Sequence, residues 1–267
     1  MKIGKDVIPR TAISTADAET ITVRGVDLCA DLIGRIGFTE YFLLLLTGRR
    51  PAPATVAVLD AALVAIAEHG LVPSVQASRM TLAAAPDALQ GAVAAGILGC
   101  GSVILGAAEA AGRLFEEIAA ASGDLGAAAT AAVQARRDAK RPIPGYGHPL
   151  HKSRDPRVDA LFAVARTQGV DLRYVAIAEA VERVLPSVLG KDLKLNVSAA
   201  IPAVLLGAGF PLEALRGVPI LARTAGLIAH LAEELKRPIG FALSYQATRE
   251  AVFDGVAPQR SATEAAR

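Results

Sequence analysis

The chain has no tryptophan, only two cysteines, and four tyrosines and seven phenylalanines among 267 residues. Cys29 and Cys100 stand in no metal-ligand spacing, and two thiols cannot staple a disulfide miniprotein. With no signal-peptide pattern in the opening residues, this cysteine usage predicts a reducing, cytoplasmic setting and no bound metal. An excess of one charge is missing too. Lys plus Arg total 28 against 26 Asp plus Glu, a formal net charge of +2. That supplies no field for indiscriminate polyanion binding, so no nucleic-acid partner is expected. Also absent are a GxGxxG after a strand, a P-loop, HExxH, CxxC and a GxSxG elbow, which removes the usual signatures of dehydrogenases, NTPases, zinc proteases and elbow hydrolases.

What is present is alanine, 55 residues of it, in a chain that is 52% hydrophobic with mean hydropathy +0.40. A core of many small and few aromatic side chains predicts close helix-on-helix packing. Between Asp87 and Glu109 runs an uncharged stretch of 21 residues, ALQGAVAAGILGCGSVILGAA, long enough to span a bilayer. Ala and Gly dominate it, its flanks are acidic, and no aromatic belt borders it. A second run, Leu195 to Leu212, is interrupted by Pro202 and Pro211. Both read as helices buried inside a soluble protein, with no membrane partner.

Residues 7 to 25 contain the one convincing period-two stretch, around Ile21 and Val23, and predict a short hairpin. The rest has helical character. Phe38 to Leu46 makes an apolar helix closed by Thr47-Gly48, and a helix from Pro53 ends before Gly70, placing His69 at its C-terminus. Helices follow near 75 to 86, 88 to 105 and 109 to 121. The segment 122 to 149 holds a basic helix with Arg136, Arg137, Lys140 and Arg141, then PIPGYGHP, whose prolines and glycines forbid regular structure. Helices resume over 157 to 167, 172 to 185, 196 to 206 and 219 to 235. In the last, Arg223, His230, Glu233 and Glu234 lie off the apolar face. Beyond about 248 the chain turns polar and reads as a frayed tail.

Four histidines are candidates for chemistry. Position alone makes His69 a favourable dipole partner of a helix end, His230 a packing residue and His151 a solvated one. His148 differs, because a histidine directly after Pro-Gly-Tyr-Gly sits on a rigid, backbone-exposed turn. Arg137, Lys140, Arg141, Lys152, Arg154 and Arg157 surround that turn, a setting that suits phosphates or carboxylates. Arg157, after Asp155-Pro156, and Arg237, before Pro238, are bracketed rigidly enough for bidentate carboxylate binding.

The loop PGYGHPLHKSRDPR, Pro144 to Arg157, resembles the PGFGHxxYKxxDPR signature of the citrate synthase superfamily. TVRGVDLCADLIGRIGFTEYFLLLLTGRRP resembles that family's RGYxxxDLxxxxxFEExxxLLxxGxxP block. EHGLVPS resembles the histidine segment of its citryl-CoA lyase and ATP-citrate lyase branch, and ARTAGLIAHLAEELKRP resembles its RxxGxxAHxxE...RP block. The four lie in family order across residues 22 to 240.

The resemblance implies an all-α, two-domain fold with at most a small N-terminal hairpin, its large domain formed by 1–107 and 198–267 and its small CoA-binding domain by 108–197. It implies a homodimer and an enzyme that makes or cleaves a carbon-carbon bond between an acyl-CoA, acetyl-CoA in the family, and a 2-oxo acid such as oxaloacetate. Coenzyme A thioester is then a co-substrate, and no cofactor is permanently bound. His148 matches the residue that polarises the oxo-acid carbonyl, His69 the one that orients the oxo acid, and Arg157 and Arg237 its carboxylate ligands. Pro144, Gly145, Tyr146 and Gly147, with Arg141 and Lys152, would hold coenzyme A. The EHG segment and the short chain favour the lyase direction.

Two positions depart from the family pattern. Its HGGANEA segment aligns with Ile104 to Ala110, so Ile104 replaces the histidine that stabilises the acyl-CoA enol. Its NVD segment aligns with Asn196-Val197-Ser198, so Ser198 replaces the aspartate that moves the methyl proton. A hydroxyl is no substitute for a carboxylate base near neutral pH. Glu109 and Asp192 are the nearby carboxylates that could act instead. The departures keep open a non-catalytic CoA or carboxylate binder, and an altered enzyme on another acyl-CoA.

Overall fold

The computed structural model describes residues 8–147 and 154–256. The chain opens on an antiparallel sheet of β1 (Ser14–Ala16), β2 (Ile21–Val23) and β3 (Val26–Asp27), in that order, with Ser14 opposite Val23 and Val23 opposite Val26. The β2–β3 turn has two central residues, Arg24 and Gly25, with φ of 51° and 80°, the backbone a two-residue hairpin demands. Arg24 is held in that conformation by its guanidinium, whose Nε donates to the Leu45 carbonyl at 2.9 Å. A π-helical turn, Leu28–Leu32, follows, capped by Asp27.

Eleven α-helices then make up the described fold. They are α1 (Phe38–Thr47), α2 (Pro53–Ala67), α3 (Pro73–Ala84), α4 (Leu89–Leu105), α5 (Ala107–Ala120), α6 (Leu125–Asp138), α7 (Pro156–Thr167), α8 (Arg173–Leu189), α9 (Val197–Gly207), α10 (Gly217–Glu234) and α11 (Gly240–Glu250). The all-helical class with one small sheet is as expected. Proline opens α2, α3 and α7 where its missing N–H costs nothing, and Gly48 closes α1 in the left-handed conformation. Helix α11 covers most of the segment for which no helix was predicted, so only 251–256 of the expected tail is described as irregular.

Two compact units divide the chain, one of residues 1–69 and 100–226, the other of 70–99 and 227–267. Residues 108–197 fall within the first unit. That unit is built around α9, which is apolar on every side and almost entirely buried. Its alanines let α5, α7 and α8 approach closely, and Leu114, Phe115, Phe162, Ile177, Leu185, Ile201 and Leu205 fill the space. The second unit packs α11 on α3, with Leu82, Ala92 and Leu231 as its core.

The uncharged run corrects its sequence reading. Leu89–Ala120 is a helical stretch long and apolar enough to cross a membrane, yet only 33% of its apolar window is buried within the chain. Leu98 is 80% and Val103 87% exposed, so α4 is not the buried core helix its composition suggested. The stretch is not one rod either. Gly101 leaves helical geometry at φ 55°, ψ −171°.

Candidate active site

The loop after α6 is anchored backbone to backbone. Tyr146 pairs antiparallel with Leu195, Gly147 N–H donates to Lys194 O at 2.7 Å, and Asn196 N–H donates to Gly145 O at 2.9 Å. Because those bonds fall on the residues flanking Tyr146, its own N–H and C=O point away from Leu195. Gly145 is obligatory here. Its φ is +85°, and a Cβ would lie 2.4 Å from that of Ala199 on α9. Pro144 and Gly147 complete the turn, while Arg141 is exposed at its entry.

The Tyr146 side chain is an anchor. It is buried, its hydroxyl donates to Ala178 O at 2.8 Å, and burial, reinforced by the charge of Glu182, pushes that hydroxyl well above its usual range. Glu182 on α8 joins both sides of the site: it accepts from Leu195 N–H at 2.8 Å and from Arg154 at 3.2 Å. Asn196 caps α9, accepting from Ser198 N–H at 2.9 Å while its Nδ2 donates to Gly147 O at 2.6 Å. Ser198 therefore lies in the first turn of α9, beside the loop.

Asp155 caps α7 and is 1% exposed. Its Oδ1 accepts from Arg157 Nε at 2.9 Å, and its Oδ2 from Arg157 Nη2 at 2.8 Å and Val197 N–H at 3.1 Å. Burial by itself raises this carboxyl, but the Arg157 bonds and charge, with Val197 N–H, prevail and hold it below its ordinary value. Arg157 spends part of its fork on this pair and turns Nη1 towards Ala65 O, 3.4 Å away at the end of α2. Its side chain is 20% exposed. Three of the five N–H groups of a guanidinium are so engaged, leaving two for a ligand.

A residue that the sequence reading left on a polar helix face belongs with Arg157. Arg223, on α10, is half-buried, and its Nη1 is buried with no hydrogen-bond partner among the described residues. Burial lowers its affinity for a proton, the charge of Glu68 opposes this, and neighbouring Arg157 adds to the lowering. It remains a cation at neutral pH. Gly226 lets α10 close on the end of α2, since a Cβ there would meet Ala67 O at 2.0 Å. The end of α2, with Glu68 and half-buried His69, thus sits beside Arg157 and Arg223 in one unit. The signal for Arg223 was its place at the head of the ARTAGLIAH block.

Other expected residues fall elsewhere. His148 and Lys152 lie outside the described residues. Arg237 belongs to the second unit, its side chain 82% exposed. Ile104 lies in the last turn of α4 and is 44% exposed. Glu109 is clamped between Arg113 at 2.9 Å and Arg216 at 2.6 Å. The Arg113 bond lowers its carboxyl, burial opposes, and Arg216 lowers it further. A carboxylate so stabilised is a weak base, and Asp192 is paired with Lys194 at 2.7 Å. Both carboxylates that the sequence reading offered for the proton transfer are thus held in ion pairs. Among the described residues no His, Cys, Asp and Glu cluster could hold a metal.

A family model described as citrate synthase, C-terminal domain, matches residues 8–239. The citrate synthase of Deinococcus radiodurans is 31% identical over 197 residues, covering 72% of this chain and 51% of its own. The chain spans about half the length of the curated relatives it matches. Among solved structures, the citryl-CoA lyase of Hydrogenobacter thermophilus superposes with a TM-score of 0.84 at 31% identity, over 98% of this chain and 100% of that one. An ATP citrate lyase of Methanosaeta concilii in complex with (3S)-citryl-CoA shares the fold, with a TM-score of 0.77 at 22% identity over 98% of this chain and 44% of that one.

Proposed function

The chain belongs to the citrate synthase family, and from that membership we propose that it acts on the carbon-carbon bond between an acyl-CoA and a 2-oxo acid, in the direction of citryl-CoA cleavage. The observation that carries the direction is the superposition on a citryl-CoA lyase with a TM-score of 0.84 at 31% identity.

Coenzyme A binds as co-substrate at the 144–147 loop, where the outward N–H and C=O of Tyr146 offer the paired donor and acceptor a purine edge requires. Arg141, with Lys152 beyond the described loop, neutralises phosphate charge. Arg157 and Arg223 take one carboxylate between them and His69 orients the oxo acid; for Arg237 the family resemblance supports a carboxylate-binding role. His148 accepts the hydroxyl proton as the carbon-carbon bond breaks and the thioester leaves as its enolate, whose methylene carbon takes a proton from water to give acetyl-CoA. Ser198 and Ile104 make that enolate less well served than in a site with an aspartate and a histidine, and turnover is correspondingly slow. Residues 108–197 act as the small CoA-binding region. The exposed apolar face of α4 supports a homodimer, and two free thiols support a cytoplasmic setting.

Incubation with citryl-CoA, and separately with acetyl-CoA plus oxaloacetate, beside an active control enzyme, tests this reading. Acetyl-CoA release is expected from the first. The departures at Ile104 and Ser198 favour a second reading, a CoA- and carboxylate-binding protein without turnover. Calorimetric CoA binding with no turnover on a panel of acyl-CoAs would establish it.

A further inference from the structure

The second unit contains a buried ion cluster that the chemistry above does not use. Arg79, on α3, is 2% exposed. Its Nε donates to Glu234 Oε2 at 2.6 Å and its Nη1 to Glu233 Oε2 at 2.9 Å. The same Nη1 lies 3.3 Å from His230 Nδ1, which must accept, since a guanidinium can only donate. Its Nη2 donates to the backbone carbonyl of Arg237 at 3.4 Å. The second oxygen of Glu234 accepts from Ile239 N–H at 2.9 Å and Gly240 N–H at 2.7 Å, at the start of α11. Burial disfavours both charges, yet the pairing raises Arg79 above and lowers Glu234 below their ordinary values.

Two of these bonds, at Arg237 and Ile239, fall within one five-residue link, and the others on the helix ends beside it. Leu235 to Ile239 join α10 to α11, and both ends of that link, with the Arg237 carbonyl between them, are fastened to one guanidinium and the carboxylate it holds. Arg237 N–H also donates to Glu233 O at 2.7 Å, and Pro238 stiffens the next step of the chain. Gly240 lets the link lie against α3, because a Cβ there would meet Arg79 O at 2.7 Å and Ala83 Cβ at 2.6 Å. The Arg237 guanidinium, by contrast, is mostly solvated. A long side chain on a fixed backbone reaches a ligand with less disorder to lose than one on a loose loop.

We propose that Arg79, through Glu234, is a positioning residue for Arg237, fixing the backbone from which that arginine reaches the substrate carboxylate. The proposal rests on the carboxylate-binding role given to Arg237 above. Arg79→Lys keeps the charge but cannot span Glu233, Glu234 and the Arg237 carbonyl. Glu234→Gln keeps the shape and provides a second variant should the first fold poorly.

Two readouts are taken on the full chain. Amide exchange at Ile239 and Gly240 should accelerate at least about tenfold in either variant while the amides of α9 keep their protection. Calorimetry with citrate and with oxaloacetate should show about tenfold weaker binding in Arg79→Lys, the scale of one lost charge-assisted bond, with CoA affinity unchanged. Arg79→Lys combined with Arg237→Ala should bind no more weakly than Arg237→Ala alone. Unchanged exchange, or parallel and additive losses of both ligands, would overturn the proposal. A wild-type chain that binds CoA but neither acid would instead overturn the substrate reading. The positioning role for a carboxylate would fall with it, and exchange would report only a structural clamp.

Discussion

Asp155 shows how one buried carboxylate can set both stability and site geometry. Arg157 and Val197 N–H hold it ionised, so its folded pKa lies below the unfolded value of about 3.9. A group with a depressed folded pKa stabilises fully above the unfolded value, and that contribution fades as pH falls through the folded one. Denaturant unfolding should therefore show wild type losing more stability between pH 6 and about pH 3 than Asp155→Asn does, while Asp155→Asn is the less stable at pH 7. Ser198 carries the second residue-level prediction. Placing Asp there, with His at position 104, should raise carbon-carbon turnover by at least about 10²-fold, the lower end of what one acid-base group supplies. No gain would mean that the rest of the site is not arranged for this chemistry.

At the scale of elements, the loop and α9 act as one part. Gly145→Ala would force a side chain to φ +85° and into Ala199. We expect a loss of at least about 1–3 kcal/mol in chemical unfolding, together with weaker CoA binding, because strain and clash act on the same turn. Loss of stability without any change in CoA affinity would detach this loop from the ligand. Elements of this kind were largely legible in the sequence. Prolines at helix starts, Gly48 at a helix end and the Pro-Gly-Tyr-Gly turn each announce a local backbone state. The π-helical turn at Leu28–Leu32 and the break at Gly101 were not legible, since both interrupt apolar stretches whose periodicity suggests nothing unusual. Arg223 was missed because its significance comes from where α10 meets α2 and α7, a tertiary fact. Glu234, read as lying off the apolar face, is buried because Arg79 comes to it from 155 positions away in the chain.

For the whole molecule, the exposed apolar residues of α4 are among several large hydrophobic side chains left at the surface of the described residues. Leu98 and Val103 would be costly to leave in water, and the homodimer proposed above would cover them. Sedimentation velocity should find a dimer for wild type and a monomer for the double variant Leu98→Asp, Val103→Asp. A wild-type monomer would contradict this assembly. The alanine-rich composition lets helices approach closely within the first unit.

The activity proposed is cleavage of citryl-CoA with Ser198 and Ile104 where the family pattern has an aspartate and a histidine. Release of acetyl-CoA from citryl-CoA by the purified chain, followed by mass spectrometry over hours at protein concentrations that reveal slow turnover, tests it most directly. Stoichiometric appearance of acetyl-CoA and oxaloacetate, abolished by His148→Ala, is the predicted result. CoA binding with the thioester left intact would contradict it.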